Sequence, residues 1–268
     1  MRAATLRVLQ STVRANENAQ PWPVLICLLG TFGVLQEGRA VQIRGQGKVG
    51  LLLCTLAVRG HVPREELLDV LWPAQPIDLA GPSLHSLMHE LVVRLGGVTA
   101  VVHAHGSYSL NEVGGVGVDT RCFEELLAAG DQQRGAGNQQ AAIATHELAA
   151  SFYRGDLCAG SLGLQFAGER ERLRSSFLGM LVAMAEAQQR EGAEGACRAS
   201  LLRLLNHDPC CEHAHRMAMR CYMRLGERAQ ALRQYRWCEH ALRIEFDAVP
   251  EGATISLFNH IRSAPDDV

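Results

Sequence analysis

The fold class can be predicted from residues 24–60, which read VLICLLGTFGVLQEGRAVQIRGQGKVGLLLCTLAVRG. Residues 24–43 are rich in Val, Leu and Ile and carry a turn at Glu37-Gly38-Arg39, which is typical of three short strands. Apolar residues then recur at the spacing of a helix face, at Val49, Leu52, Leu53, Leu56 and Ala57. This stretch therefore predicts a small sheet followed by a first helix that ends at Gly60.

Two more helices and a hairpin are predicted next. Pro63 begins the second helix, whose first turn is acidic, and Trp72-Pro73 ends it. A third helix is predicted from Ser83 to Leu95, and residues 98–110 predict a β-hairpin with a glycine at its turn. The order of strands, three helices and hairpin predicts a winged helix-turn-helix domain at residues 24–112, preceded by an N-terminal extension at 1–23.

The second half of the chain is predicted to be helical. Residues 113–117 are rich in glycine and are predicted to be a linker. Helices are then predicted at 119–134, 138–153, 165–191, 193–206, 210–225, 227–244 and 252–262. Gly192 and Gly226 lie 34 residues apart, the period of tetratricopeptide repeats. The mostly helical chain is thus predicted to contain an all-α, tetratricopeptide-like domain at 118–262, followed by a tail at 263–268.

Several motifs, taken together, indicate a family. In the first half they lie at 28–34, at Lys48, and at 63–67, 71–73 and 106–110. In the second half they lie at 118–119, 123, 153–157, 169–173 and 229–235. In this order and spacing they resemble the bacterial transcriptional activator domain (BTAD) family, which includes the antibiotic-regulatory activators called SARPs. The resemblance implies a winged helix that binds double-stranded promoter DNA, and a helical domain that forms homo-oligomers and contacts RNA polymerase or other transcription proteins.

The third helix is the predicted recognition helix, because the second helix of a helix-turn-helix lies in the major groove. Its apolar residues form one face, so base edges would meet the opposite face, at Ser83, His85, Ser86, His89 and Glu90. Contacts to the DNA backbone are predicted for Arg44, Lys48, Arg64 and Arg94. The predicted wing presents His103, His105 and Ser107.

The balance of basic and acidic residues argues against a protein that binds nucleic acid. The chain has 26 Lys+Arg and 28 Asp+Glu, a formal charge of −2, whereas DNA-binding proteins usually carry a basic excess. Residues 24–113 contain six basic and seven acidic residues. An alternative hypothesis is therefore that the winged helix has lost DNA binding and that the protein is an adaptor in which both domains bind protein. A second alternative is a sensor, either for a small molecule or for metal or pH through His85, His89, His103 and His105.

Other function classes are excluded by what the sequence lacks. No apolar run reaches the ~20 residues of a membrane span, so no membrane association is expected. The nine cysteines are scattered through helical patterns, which favours buried thiols in a reducing cytoplasm. No catalytic motif is present, so neither an enzyme nor a cofactor is predicted.

Overall fold

The computed structural model describes residues 22–73, 77–97, 100–159 and 164–263, without the side chains of 77–80 and 164. These residues belong to two compact units. The first comprises Met1–Gln132 and Glu147–Leu173, and the second comprises Gln133–His146 and Arg174–Val268. Residues 1–21 of the predicted extension, residues 264–268 of the predicted tail and the start of the predicted hairpin at 98–99 lie outside the described residues.

The secondary structure begins with strands and continues with helices. The strands are β1 (Val24–Cys27), β2 (Gly33–Gln36), β3 (Arg39–Val41), β4 (Val62–Pro63), β5 (Val101–Ala104), β6 (Ser107–Leu110) and β7 (Val116–Val118). The helices are α1 (Lys48–Arg59), α2 (Arg64–Leu71), α3 (Ile77–Arg94), α4 (Asp119–Gly135), α5 (Gln139–Phe152), α6 (Ala167–Arg190), α7 (Glu194–His207), α8 (Glu212–Arg224), α9 (Arg228–Phe246) and α10 (Gly252–Ser263). A 3-10 turn at Leu164–Phe166 precedes α6. The mostly helical fold with a small N-terminal sheet is confirmed.

The N-terminal sheet has the strand order β3-β2-β1-β7. All four residues of β1 are buried, so this central strand needs a neighbour on each side. Strand β2 pairs with it in antiparallel register, Val24 opposite Gln36. Strand β7 pairs with it in parallel, Val24 opposite Val116.

The glycine-rich segment predicted to be a linker contributes to this sheet, because Val116 and Gly117 lie in β7. Its glycines serve packing. A Cβ on Gly117 would overlap the ring of Trp22, and a Cβ on Gly115 would overlap the ring of Pro23. Gly115 also has a φ of 97°, which residues other than glycine rarely adopt. The glycines therefore let the segment Trp22-Pro23 lie against β7.

The three helices and the hairpin form the predicted winged helix. Strands β4, β6 and β5 make a second sheet in that order, and α1 packs against both α2 and α3. The core side of α3 is the predicted apolar face, in which Leu84, Met88 and Leu91 are buried. Helix α3 begins at Ile77, six residues before the predicted start at Ser83. Pro82 lies inside it, and its missing amide hydrogen removes one backbone hydrogen bond without ending the helix.

A buried carboxylate joins β1 to the start of α4. Asp119 is fully buried and accepts hydrogen bonds from the amides of Leu28 (2.8 Å) and Leu29 (3.0 Å). Arg154 donates to the same carboxylate over 3.3 Å. Burial raises the pKa of Asp119 to about 6, although the two amides and Arg154 act to lower it. The residues after β1 are thus held by the first residue of α4.

The second unit contains the predicted repeat. Helix α8 packs against α7 and α9, and α9 packs against α10. Gly192 and Gly226 occupy equivalent turns, with φ angles of 71° and 73°. At the same offset, Cys197 and Ala231 are both fully buried, because a small residue is needed where neighbouring helices approach closely. The 34-residue offset therefore holds for the two turns and for the starts of α7 and α9, whereas α8 and α10 begin 40 residues apart.

Two further expectations concern the cysteines and the membrane. All nine cysteines are free thiols, and seven of them are buried, as predicted. Burial raises the pKa of Cys27 to about 11, which disfavours the nucleophilic thiolate at neutral pH. Within the described ranges, no helix combines the length and the apolar character that a bilayer crossing requires.

Candidate nucleic-acid interface

Helix α3 presents an exposed face opposite its buried one. The predicted base-facing residues on it are all exposed: Ser83, His85, Ser86, His89 and Glu90. Val93 extends this face and is 62% exposed. Because the opposite side of the helix is packed into the core, the exposed face has the geometry that a recognition helix requires.

A groove of about 580 Å³ lies beside this face, between α3 and the segment that leads from β3 into α1. It is lined by Arg44, Lys48 and Arg94, three of the four residues predicted to contact the DNA backbone. The loop that carries Arg44 can lie on α1 only because residue 50 is glycine. A Cβ on Gly50 would overlap the carbonyl oxygens of Arg44 and Gly45. The fold therefore brings basic side chains from three different elements to one place.

Lys48 is positioned by an aromatic ring. Its Nζ lies 4.4 Å from the ring centroid of Trp72, a cation–π distance. Trp72 itself is only 8% exposed, so the ring is fixed, whereas Lys48 is exposed. The sequence indicated Trp72 only as the end of the second helix. Its role beside Lys48 depends on the approach of α1 and α2, which no local pattern reveals.

Arg94 is held by two acceptors. Its Nε and Nη2 donate to the Glu90 carboxylate (3.0 and 2.7 Å), and its Nη1 donates to the carbonyl oxygen of Gln42 (2.6 Å). Glu90 was predicted from sequence to face a base edge. In the structure its carboxylate lines the groove and pairs with Arg94. Glu90 therefore neutralises part of the positive charge in the groove and fixes the direction of the Arg94 guanidinium.

Replacing Glu90 with Gln is expected to strengthen binding to duplex DNA. The change removes one negative charge that would repel phosphate and leaves Arg94 free to turn toward it. We expect an affinity gain of about threefold to tenfold at low salt, measured by fluorescence anisotropy with a random-sequence duplex. Glu191→Gln, the same change at an exposed position outside the winged helix, is the control. An unchanged or weaker affinity in Glu90→Gln would contradict the interpretation.

Arg64, the fourth predicted backbone contact, lies outside the groove. Its amide donates to the carbonyl oxygen of Gly106 in the wing turn (3.0 Å). Its guanidinium lies against Gly81 in α3, where Nη2 is 2.6 Å from the position that a Cβ would take. Arg64 therefore links the first turn of α2 to the wing and to the start of α3.

The wing is the β5–β6 hairpin. His105 and Gly106 form its two-residue turn with φ angles of 50° and 75°, the positive values that a type I′ turn requires. His103 lies opposite Tyr108 in the hairpin, and the two rings stack with centroids 4.3 Å apart. His103 and His105 are exposed, whereas Ser107 is partly buried. The hairpin thus presents a short polar tip with little positive charge.

The metal hypothesis for His85, His89, His103 and His105 is not supported. Among the residues that the structure describes, no group of three or more His, Cys, Asp or Glu side chains is arranged to hold a metal ion. His103 instead stacks on Tyr108. Two histidines of α3 and two of the hairpin do not come together as a ligand set.

The match that assigns the chain to a family lies in its helical part. Residues 118–262, which begin at the last residue of β7 and run to the last turn of α10, match the family model of the bacterial transcriptional activator domain. The chain belongs to the bacterial transcriptional activator domain family. Members of this family are transcriptional regulators and not enzymes. No curated protein matches the chain.

The fold of this family member is similar to that of a solved structure. The structure is that of Mycobacterium tuberculosis EmbR in complex with a low affinity phosphopeptide. The two chains superpose with a TM-score of 0.68 at 23% identity, over 90% of this chain and 65% of the EmbR chain. This chain thus spans about two thirds of the length of EmbR. At this identity the likeness establishes the fold, a winged helix followed by the helical domain.

Proposed function

We propose that the chain is a promoter-binding transcriptional activator. In this proposal the winged helix at 24–112 binds double-stranded DNA in the cytoplasm. The helical domain at 118–262 mediates self-association and contacts with RNA polymerase or other transcription proteins. The observation that carries the proposal is the groove in which Arg44, Lys48 and Arg94 converge beside the exposed face of α3. This is the arrangement that lets phosphate contacts fix the register of a helix in the major groove.

The local charge supports DNA binding better than the net charge of the domain does. Several acidic residues are compensated by a nearby arginine. Glu66 pairs with Arg59, and Glu112 pairs with Arg121. In contrast, Arg44 and Lys48 form no ion pair with any described residue, and both are exposed. Among the residues described, two of the four unpaired basic side chains of the winged helix, Arg44 and Lys48, therefore lie at the groove, where phosphates would lie.

The proposed contacts divide into two kinds. Arg44, Lys48 and Arg94 contact phosphates from the groove, and Arg64 does so next to the wing. Base edges face Ser83, His85, Ser86 and His89, with Glu90 acting through Arg94. The wing offers His103, His105 and Ser107 to the adjacent minor groove. Hydroxyl and imidazole groups both donate and accept hydrogen bonds, so this face suits readout of base edges more than binding by charge alone.

Binding to the chain's own upstream DNA across a salt series tests the proposal. Each phosphate contact contributes a slope of about −0.9 to a plot of log affinity against log salt concentration. Four contacts therefore predict a slope between about −3 and −4. The measurement uses purified full-length protein, with a scrambled duplex of equal length as the specificity control. A slope near zero, or equal affinity for both duplexes, would refute sequence-specific binding.

The adaptor is the second candidate, and one observation favours it. The face of α3 carries no unpaired basic residue among those described, because Arg94 is engaged by Glu90 and Gln42. If the adaptor is correct, the protein fails to bind any duplex even at ~50 mM salt, while the helical domain still recovers a partner protein.

A further inference from the structure

Helix α9 carries a row of basic side chains away from the proposed DNA site. Arg233, Arg236, His240 and Arg243 follow one another at intervals of three, four and three residues, so they lie on one face of the helix. All four are exposed. The buried residues Ala231, Cys238 and Leu242 lie on the opposite face and pack into the repeat. We call these four residues the basic row.

The basic row keeps an excess of positive charge, although Glu239 lies one helical turn from both Arg236 and Arg243. Among the described residues, Arg236 and Arg243 form no ion pair. Arg233 makes only a long hydrogen bond to Gln230 (3.4 Å) on its own helix. Other arginines of the same unit are paired across helices. Arg224 bonds Glu194 (2.8 Å) and Arg216 bonds Glu251 (2.7 Å). The three arginines of the basic row are therefore guanidinium groups available to an acidic partner.

An apolar groove runs along one edge of the basic row. Its volume is about 480 Å³. Its apolar lining consists of Pro209, Trp237, Ala241, Ile244 and Phe246, and its polar lining consists of Arg174, Asp208, Cys210, His240 and Glu245. Ile244 is 70% exposed and Phe246 is 65% exposed. Exposure of two large apolar side chains next to a groove is typical of a binding surface. The Trp237 ring is fixed by an edge contact with His215, whose centroid is 5.3 Å away.

The groove and the basic row restrict the partner. We propose that together they bind an acidic amphipathic peptide segment of another protein, whose carboxylates pair with Arg236 and Arg243 and whose apolar side chains fill the groove beside Trp237. This inference rests on the proposed role of the helical domain in protein contacts and names its surface and partner. Its main measurement contains no DNA, so the two proposals can fail separately.

Other occupants fit less well. A nucleic-acid backbone would pair with the guanidinium groups but offers no aliphatic side chains to cover Ile244 and Phe246. A second copy of the chain, docked symmetrically through this face, would set one basic row against the other, because a twofold interface uses the same surface on both subunits. On α9, Glu245 lies on the far side of Trp237 from the basic row. That position directs the carboxylates of a partner toward the arginines.

The test is fluorescence anisotropy with full-length protein and a labelled peptide that repeats Asp-Asp-Phe-Asp-Leu. We expect saturable binding that the double variant Arg236→Glu with Arg243→Glu weakens by about tenfold or more. The control is Arg190→Glu with Arg220→Glu, which makes the same charge change at exposed arginines of α6 and α8. Circular dichroism melting verifies that both variants fold. Equal weakening in the two double variants would overturn the proposal.

Two further measurements distinguish binding in the groove from simple charge attraction. The variant Ile244→Ser, and a peptide in which Ser replaces Phe and Leu, should each weaken binding by about threefold to tenfold. If both bind as well as the originals, the surface is only an anion-binding patch and the proposal is wrong. A random-sequence duplex is the last probe. If the basic-row variant loses duplex binding and retains peptide binding, the row contacts nucleic acid and the proposal is likewise overturned.

Discussion

Replacing Asp119 with Ala is expected to lower the free energy of unfolding by about 3–5 kcal/mol. At pH 7.5, above its pKa of about 6, Asp119 is a buried anion that accepts from two amides and from Arg154. Alanine leaves the amides of Leu28 and Leu29 without an acceptor and leaves the charge of Arg154 without its partner. The cost of unsatisfied buried donors exceeds what is gained by removing a buried carboxylate.

Urea unfolding, followed by tryptophan fluorescence, measures this loss, because Trp22 packs against the same sheet at Gly117. Asp69→Ala, at an exposed position of α2, is the control and should change stability by less than about 0.5 kcal/mol. A loss below about 1 kcal/mol in Asp119→Ala would mean that water or a rearranged side chain replaces the carboxylate.

The double variant Arg44→Glu with Lys48→Glu is expected to bind upstream DNA about 100-fold to 1000-fold more weakly than the wild type at ~0.1 M salt. Both side chains are exposed in the groove beside α3. Reversal therefore removes two phosphate contacts and adds two charges that repel phosphate. The slope of log affinity against log salt should become shallower by about 2, from the loss of two contacts at about 0.9 each.

Arg190→Glu with Arg220→Glu is again the matched control, since it changes the net charge equally outside the winged helix. If both double variants lose the same affinity, binding depends on net charge and not on the groove. An unchanged salt slope in the Arg44 and Lys48 variant would also remove these residues from the interface.

Local patterns were enough to predict most of the fold. The spacing of Val49, Leu52 and Leu56 placed α1, and glycines such as Gly192 and Gly226 placed helix ends within a few residues. These signals are local, because helix periodicity and positive φ are properties of a few consecutive residues. The parallel pairing of β7 with β1 joins segments about ninety residues apart, and nothing in the sequence of either strand identifies the other. Residues 113–117 were therefore predicted to be a linker, although the glycines at 115 and 117 allow close packing.

The candidate site was predictable to the same extent. The exposed face of α3 followed from its apolar face, since the two are opposite sides of one helix. The neighbours of its basic residues were not predictable. Lys48 meets Trp72, and Arg94 meets the carbonyl oxygen of Gln42. Each of these contacts requires two elements to pack together. A contact to a backbone carbonyl oxygen, in particular, does not depend on the type of the accepting residue, so the sequence does not indicate it.

Strand β7 also determines where this protein can be divided. A fragment that ends at residue 112 would leave β1 with a bare edge and would leave the amides of Leu28 and Leu29 without Asp119. The smallest fragment that keeps both neighbours of β1 and the carboxylate of Asp119 therefore extends into the first turn of α4. In this chain β7 and the carboxylate of Asp119 both support β1 and the residues that follow it. The winged helix therefore cannot be separated from the rest of the chain by a cut in the glycine-rich segment.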